Sequence, residues 1–251
     1  MINISIVSHG HNLIIPPLIT HLLALDEVAC IFVTHNIPQE HSIIACDRVV
    51  VIDNPSPKGF GANHNAAFVF ARQHAPHADY FCVLNPDISL VNNPFPSLIA
   101  ALETPGVIMA GPQVIAPNHR VEDSARYFPT MASLLKKSVG LFIQGRSDTV
   151  VLQDDPDERS NPDWLAGMFM LFTKSGYQAL GGFDENFFLY YEDVDICARI
   201  WKSSKKLRYC HDVSVIHDAR RASHKNLRFF KWHFASLIRF LLKHGGYKRP
   251  V

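Results

Sequence analysis

Short apolar segments separated by polar, turn-forming ones set the rhythm of the first half of this 251-residue chain. Residues 4–7 read Ile-Ser-Ile-Val and belong to an alternating stretch. Residues 29–33, Ala-Cys-Ile-Phe-Val, and residues 80–84, Tyr-Phe-Cys-Val-Leu, are continuously apolar. Such runs bounded by turn signals fit strands, the continuous ones buried on both faces. A further short strand is expected over 48–52, a helix over 18–25, and another helix over 65–73, after the turn-rich DNPSPKGFGAN. Strands alternating with helices predict an α/β domain whose mostly parallel central sheet is flanked by helices.

In sheets of that kind ligands bind at the carboxyl ends of the strands. The polar residues there are Ser8, His35, Asn36 and Asp87. After Gly111 the pattern loosens into a polar connection holding Arg126-Tyr127-Phe128-Pro129, and a second block starts near Trp164. The segment FFLYYEDVDICARIWK then passes from aromatic residues into a helix. Val194, Cys197, Ala198 and Trp201 share one face of it, and Asp195, Arg199 and Lys202 share the other.

Charge changes the picture only at the end of the chain. A formal net charge of +1 gives no global field for nucleic acid. Residues 219–251, however, hold nine Lys or Arg and no acid, interleaved with aromatic residues and leucines, which makes a basic amphipathic tail. Such a helix either packs Phe230, Phe234, Leu237 and Leu241 on the core or meets the anionic inner leaflet, and the two are compatible. Five cysteines without a CxxC pair suggest neither a disulfide framework nor a zinc ribbon, which fits a reducing, cytoplasmic setting. No signal-peptide pattern opens the chain, and no apolar run approaches the ~20 residues of a membrane span.

Four segments carry candidate chemistry. Asn85-Pro86-Asp87 ends a buried strand, where a carboxylate can hold Mg²⁺ or Mn²⁺ while phosphate and water complete the shell; the same residues also favour a plain turn. Glu192, Asp193 and Asp195 lie at a helix entrance, where acids act as a general base or cap the free amides. Arg199, four residues on, pairs with Asp195, leaving Asp193 as the better base and Glu192 as the second. His217 follows a strand-like run at 213–216 and is either a metal ligand or structural; Arg220 and Arg221 beyond it can meet a diphosphate. Lys58 to Asn65 form a glycine-containing turn that is neither a P-loop nor a dinucleotide fingerprint.

Taken in order, these segments resemble the family 2 glycosyltransferases of the GT-A fold, especially their bacterial rhamnosyltransferase-like branch. The long match is Trp164-Leu165-Ala166-Gly167-Met168-Phe169-Met170-Leu171-Phe172, then Gly181-Gly182-Phe183-Asp184-Glu185, then residues 187–197, FFLYYEDVDIC. Asn85-Pro86-Asp87, Gly59-Phe60 with Asn65, Arg126 with Phe128 and Pro129, His217, and residues 236–243 extend it over nearly the whole chain.

The resemblance implies one GT-A domain: a Rossmann-like nucleotide-sugar half over 1–115, an acceptor half over 116–218, and the tail. It implies Asp87 and His217 as ligands of Mg²⁺ or Mn²⁺ and Asp193, with Glu192, as the base. Ser8, Asn36, Asn65, Asn85, Gly167, Arg220 and Arg221 would line the nucleotide-sugar site. The expected reaction is inverting transfer of one sugar, rhamnose or another hexose, from a dTDP- or UDP-sugar to a glycan or lipid-linked glycan, as in cell-surface polysaccharide synthesis.

The chain departs from the family where Thr34-His35-Asn36 replaces the aspartate that reads the base, and at Pro57 and Asn63. It also lacks the QxxRW signature of processive relatives, which favours single-sugar addition. Against catalysis stands a silent nucleotide-sugar-binding or scaffold protein of the same fold. A nucleotidyltransferase would need a longer, basic glycine-rich loop than residues 8–12 supply.

Overall fold

The computed structural model describes residues 1–39, 41, 43–129, 162–218 and 227–245. Arg220 and Arg221 lie outside the described residues.

In the first half, strands β1 (Ile2–Ser8), β2 (Val28–His35), β3 (Val49–Asp53) and β4 (Tyr80–Leu84) alternate with helices α1 (Ile15–Leu23) and α2 (Phe60–His74). A short β5 (Ile88–Leu90), α3 (Phe95–Leu102) and β6 (Val107–Ile115) follow. The second half adds β7 (Ala125–Arg126), β8 (Trp164–Leu165), β9 (Phe169–Thr173), α4 (Lys174–Ala179), α5 (Glu192–Lys202), β10 (Lys206–His217) and α6 (Leu227–His244).

Eight strands form one mixed sheet in the order β3-β2-β1-β4-β9-β6-β10-β5. The β3-β2-β1-β4 part and the β6-β10 pair are parallel. Strand β9 runs against both its neighbours, and β5 runs against β10. Most of the pairings are therefore parallel, and the apolar FMLFT of β9 is laid between β4 and β6 in the opposite sense.

Continuous apolar runs are needed because both faces are covered. Along β2, Ile31 and Val33 join the core shared with α1 and α3, while Cys30 and Phe32 join the one shared with α2 and α5. In β4, Cys82 and Leu84 take the first side, and Phe81 and Val83 take the second. The second core is rich in rings: Tyr177 lies with its centroid 4.7 Å from Phe68, 4.9 Å from Phe81 and 5.1 Å from Phe172.

Helix α2 begins five residues earlier than its sequence pattern suggests, because the glycines of the expected turn serve packing. Gly59 is the N-cap, and a side chain there would strike the Phe188 backbone carbonyl at 2.7 Å. At Gly61 an added Cβ would lie 2.5 Å from Phe183 Cβ. Both glycines thus let α2 approach the 183–188 segment closely, a reason that only the distant partner makes visible.

One polar pair is enclosed in this packing. His64 on α2 has no exposure, and its Nδ1 lies 2.7 Å from the equally buried Ser5 Oγ, with Phe60 edge-on at 4.5 Å. Burial lowers the pKa of His64 to about 3, so the native ring stays neutral where the unfolded one, near 6.5, takes up a proton.

The stability this preserves is fully present above about pH 6.5 and declines by ~1.4 kcal/mol per unit as pH falls towards 3. Urea midpoints at pH 7.5 and 5.5 should therefore differ more in the wild type than in His64→Gln. Parallel pH profiles for the two proteins would remove His64 as the cause.

Candidate functional site

The carboxyl ends of β1, β2 and β3 carry one polar network. Ser8 Oγ donates to Asn12 Oδ1 at 2.7 Å, and Asn12 in turn donates from Nδ2 to His35 Nε2 at 3.0 Å and to the carbonyl of His41. His35 Nδ1 lies 2.8 Å from Asp53 Oδ1, so it carries the ring proton and donates it there. A carboxylate thus stands at this edge after all, one strand over from the family position: Asp53 ends β3, is exposed, and is held by the histidine that ends β2.

Asn36 spans the next turn. It donates from Nδ2 to Lys58 O at 3.0 Å and accepts from Lys58 N at 2.8 Å and Asn54 Nδ2 at 3.0 Å. Asn65 is placed differently. Its Oδ1 accepts from Phe183 N and Tyr177 Oη, and its Nδ2 donates to Phe183 O and Glu185 Oε1, all at 2.8–2.9 Å. Those four bonds exhaust its capacity. Asn65 clamps the 177–185 segment and has no group left over for a nucleotide.

Asp87 lies in the turn between β4 and β5. Strand β10 kinks at the register break between Cys210 and Ser214, then pairs with β5 so that His217 stands opposite Ile88. This brings His217 Nε2 to 3.4 Å from Asp87 Oδ1 and ties Asp218 N to Asp87 O at 3.0 Å. On its other side His217 Nδ1 lies 2.9 Å from Glu122 Oε2.

Glu122 is the residue that sequence reasoning missed. It sits in the loose connection after β6, where no periodicity or motif marks it. Asp87 Oδ1 is buried without a hydrogen-bond partner. Burial works to lower the His217 pKa, but Asp87 and Glu122 together outweigh it and raise it. Among the described residues no three His, Cys, Asp or Glu side chains form a group able to hold a metal by themselves.

The second acidic cluster reaches this one through the backbone. Asn85 N donates to Met168 O at 2.9 Å, and Gly167 N donates to Asp193 Oδ2 at 3.0 Å. Gly167 has ring atoms of Phe60 3.3 Å from where a Cβ would be, and Asp193 Cβ at 3.6 Å. Asp193 Oδ1 also accepts from Val194 N at 2.8 Å.

The two acids at the start of α5 differ in support. Glu192 is only 5% exposed and its Oε2 has no partner. Burial, then the adjacent Asp193, push the Glu192 carboxyl well above the usual carboxylate range. Burial raises Asp193 as well, but the amides of Gly167 and Val194 and the charge of Arg126 act against it. Both carboxyls are thus raised, and the amides of Gly167 and Val194 with the charge of Arg126 favour the charged form of Asp193 over that of Glu192. The helix they open is entered by Tyr190 and Tyr191, both left-handed at φ 68° and 65°.

No protein-family model matches the chain. It is 30% identical over 253 residues to the rhamnosyltransferase WbbL of Escherichia coli K12, covering 97% of this chain and 93% of that one. The chain belongs to the rhamnosyltransferase-like family 2 glycosyltransferases.

This glycosyltransferase is also 29% identical over 178 residues to the N-acetylglucosaminyl-diphospho-decaprenol L-rhamnosyltransferase of Mycobacterium tuberculosis, with 68% of this chain and 58% of that one matched. Its fold is that of the GT-A enzymes: GalNAc-T7, crystallised with UDP, GalNAc and Mn²⁺, superposes with a TM-score of 0.63 at 14% identity. That match spans 90% of this chain and 44% of the other. No helix among the described residues is long and apolar enough to cross a membrane.

For this glycosyltransferase the unequal support of the two acids separates their substitutions. Asp193→Asn should lower kcat by about 10²–10⁴, the usual contribution of a positioned base. Glu192→Gln changes a carboxyl whose charged form burial disfavours and should retain kcat within about tenfold. Steady-state transfer assays on both variants decide the matter; the reverse ranking would move the base to Glu192.

Proposed function

We propose that this enzyme transfers one rhamnose, with inversion, from a dTDP- or UDP-sugar to a lipid-linked glycan at the cytoplasmic face of the inner membrane. The observation that carries the reading is the pair of backbone links, Asn85 to Met168 and Gly167 to Asp193, which couple the Asp87 turn to Asp193 of the acidic pair. The names of the two relatives support the sugar, and that of the mycobacterial one supports the lipid-linked acceptor.

In this reading the Asp193 carboxylate takes the proton of the acceptor hydroxyl. The hydroxyl oxygen attacks the anomeric carbon from the face opposite the diphosphate, and the bond between that carbon and the phosphate oxygen breaks with its electron pair leaving on the diphosphate. Configuration inverts. Gly167 supplies an amide that favours the charged form of Asp193 and, lacking a side chain, lets Phe60 and Asp193 close in around it. Asp53, aimed by His35, accepts from the base in place of the aspartate the family carries on its second strand. Ser8, Asn36 and Asn85 shape the nucleotide side, and Arg220 and Arg221 meet the diphosphate.

The residues fit a divalent ion. A buried carboxylate oxygen without a hydrogen-bond partner lies 3.4 Å from an imidazole nitrogen whose ring is oriented by Glu122, the usual arrangement behind a metal-ligating histidine. Two protein ligands suit Mn²⁺ or Mg²⁺ when phosphate oxygens and water fill the remaining positions. Such an ion would neutralise charge on the departing diphosphate as a Lewis acid.

Calorimetric titration of UDP, dTDP and GDP, with and without Mn²⁺, tests the donor side. One diphosphate should bind in a Mn²⁺-dependent manner, and Asp87→Ala should abolish that binding. Glu122→Ala should weaken the Mn²⁺ dependence by about 10–100-fold, as loss of an orienting partner does, and Glu122→Gln by less. Folded protein that binds none of the three diphosphates would sink the donor-site assignment.

A further inference from the structure

Helix α6 presents one face to the domain and another to solvent. The packed face is Ser236, Phe240 and His244: Ser236 Oγ donates to Leu189 O at 2.9 Å, the Phe240 ring lies 5.8 Å from Tyr191, and His244 Nε2 lies 2.8 Å from Asp195 Oδ1. This corrects the expectation that Phe230 and Phe234 pack on the core. Apolar residues occur on both sides of the helix, and the side chosen is the one whose serine and histidine find partners.

The other side is an apolar ridge. Phe230, Phe234, Ile238 and Leu242, spaced by four, are 68%, 53%, 42% and 83% exposed. At 100° per residue they sweep an arc of about 120° and extend for about 18 Å along the axis. Phe230 and Phe234 stack with their planes 10° apart. Lys231 lies within that arc, Arg228 and Arg239 continue round one flank of it, and all three are exposed. There is no Asp or Glu anywhere in α6.

We propose that this ridge is a membrane seat: α6 lies in the plane of an anionic phospholipid surface, with Phe230, Phe234, Ile238 and Leu242 inserted and Arg228, Lys231 and Arg239 at the headgroups. Charge selects this occupant, because a helix with several cations and no acid complements an anionic surface and repels a second copy of itself. The ridge deepens the lipid-linked acceptor reading and rests on it. The same helix holds the approach to the acidic pair, with His233 5.4 Å from the Tyr190 ring and 5.2 Å from the Tyr191 ring. Seating α6 would therefore present the Asp193 side of the enzyme to an acceptor embedded in that surface.

The test is co-sedimentation with vesicles of phosphatidylglycerol and phosphatidylethanolamine, and with neutral phosphatidylcholine vesicles. Wild type should pellet with the anionic vesicles and much less with the neutral ones. Phe230→Ser/Phe234→Ser/Ile238→Ser should lose at least tenfold in partitioning, and Arg228→Glu/Lys231→Glu should lose the preference for anionic lipid. Wild type that stays in the supernatant, or a triple-serine variant that pellets like wild type, overturns the proposal. So does a dimer in sedimentation velocity that the triple variant dissolves in the absence of vesicle binding. Mn²⁺-dependent diphosphate binding, measured on each protein, verifies the fold of the variants and separates failure of the seat from failure of the donor site.

Discussion

A carboxylate with no exposure holds the α5–α6 side of this protein together. Asp195 accepts from Arg199 Nε at 2.8 Å through Oδ2, and its Oδ1 takes Lys243 Nζ at 2.7 Å and His244 Nε2 at 2.8 Å. Burial would push its pKa up, but His244, Lys243 and Arg199 hold it below the ordinary value. A buried charge of this kind persists only with partners of this quality. Those partners reach outward: Arg199 also donates to the carbonyls of Leu180 and Gly182, and Lys243 binds Asp184 at 2.6 Å. One side chain thus fixes α5, the glycine turn before Phe183, and the end of α6. Asn65 and Tyr177 lock that turn from behind.

Asp193, two residues before this anchor, inherits its position from it. The helix start is held by the α5–α6 junction, and the 166–168 segment is held by β9 and by Asn85, so the amide of Gly167 meets the carboxylate without either having to move. The Asp87 turn has a comparable logic. The pairing of β10 with β5 carries His217 to Asp87, and Glu122 sets the ring from the opposite direction. His217 closes a strand and Asp193 opens a helix, while Asp87, Glu122 and Gly167 lie in the short connections those elements fix.

What could be read from the sequence was local or periodic. The bounds of β4 were legible because five apolar residues end at Asn-Pro-Asp, and the Asp195–Arg199 pair was legible because four residues is one helical turn. The long match through WLAGMFMLF, GGFDE and FFLYYEDVD carried the family. Hidden from it were features that depend on distant partners. Glu122 lies in a stretch without pattern, and the early start of α2 depends on Phe183 and Phe188. The meeting of His35 with Asp53 needs the register of two parallel strands. Which face of α6 packs was undecidable from hydrophobicity, since Phe230 and Phe240 look alike until Asp195 and Leu189 claim His244 and Ser236.

The tandem left-handed tyrosines show what the site has given up to be where it is. Each non-glycine residue in that region costs roughly 1–3 kcal/mol, and the cost is tolerated only where the surroundings enforce it. His233 and Phe240 on α6 pack against the two tyrosine rings, so the peptide that leads into the acidic pair is backed by α6. Glycine at either position would relieve that strain and at the same time loosen the start of α5. An unstrained backbone and a fixed start of α5 are, at this turn, opposing demands on the same two residues, and the chain has settled on the second.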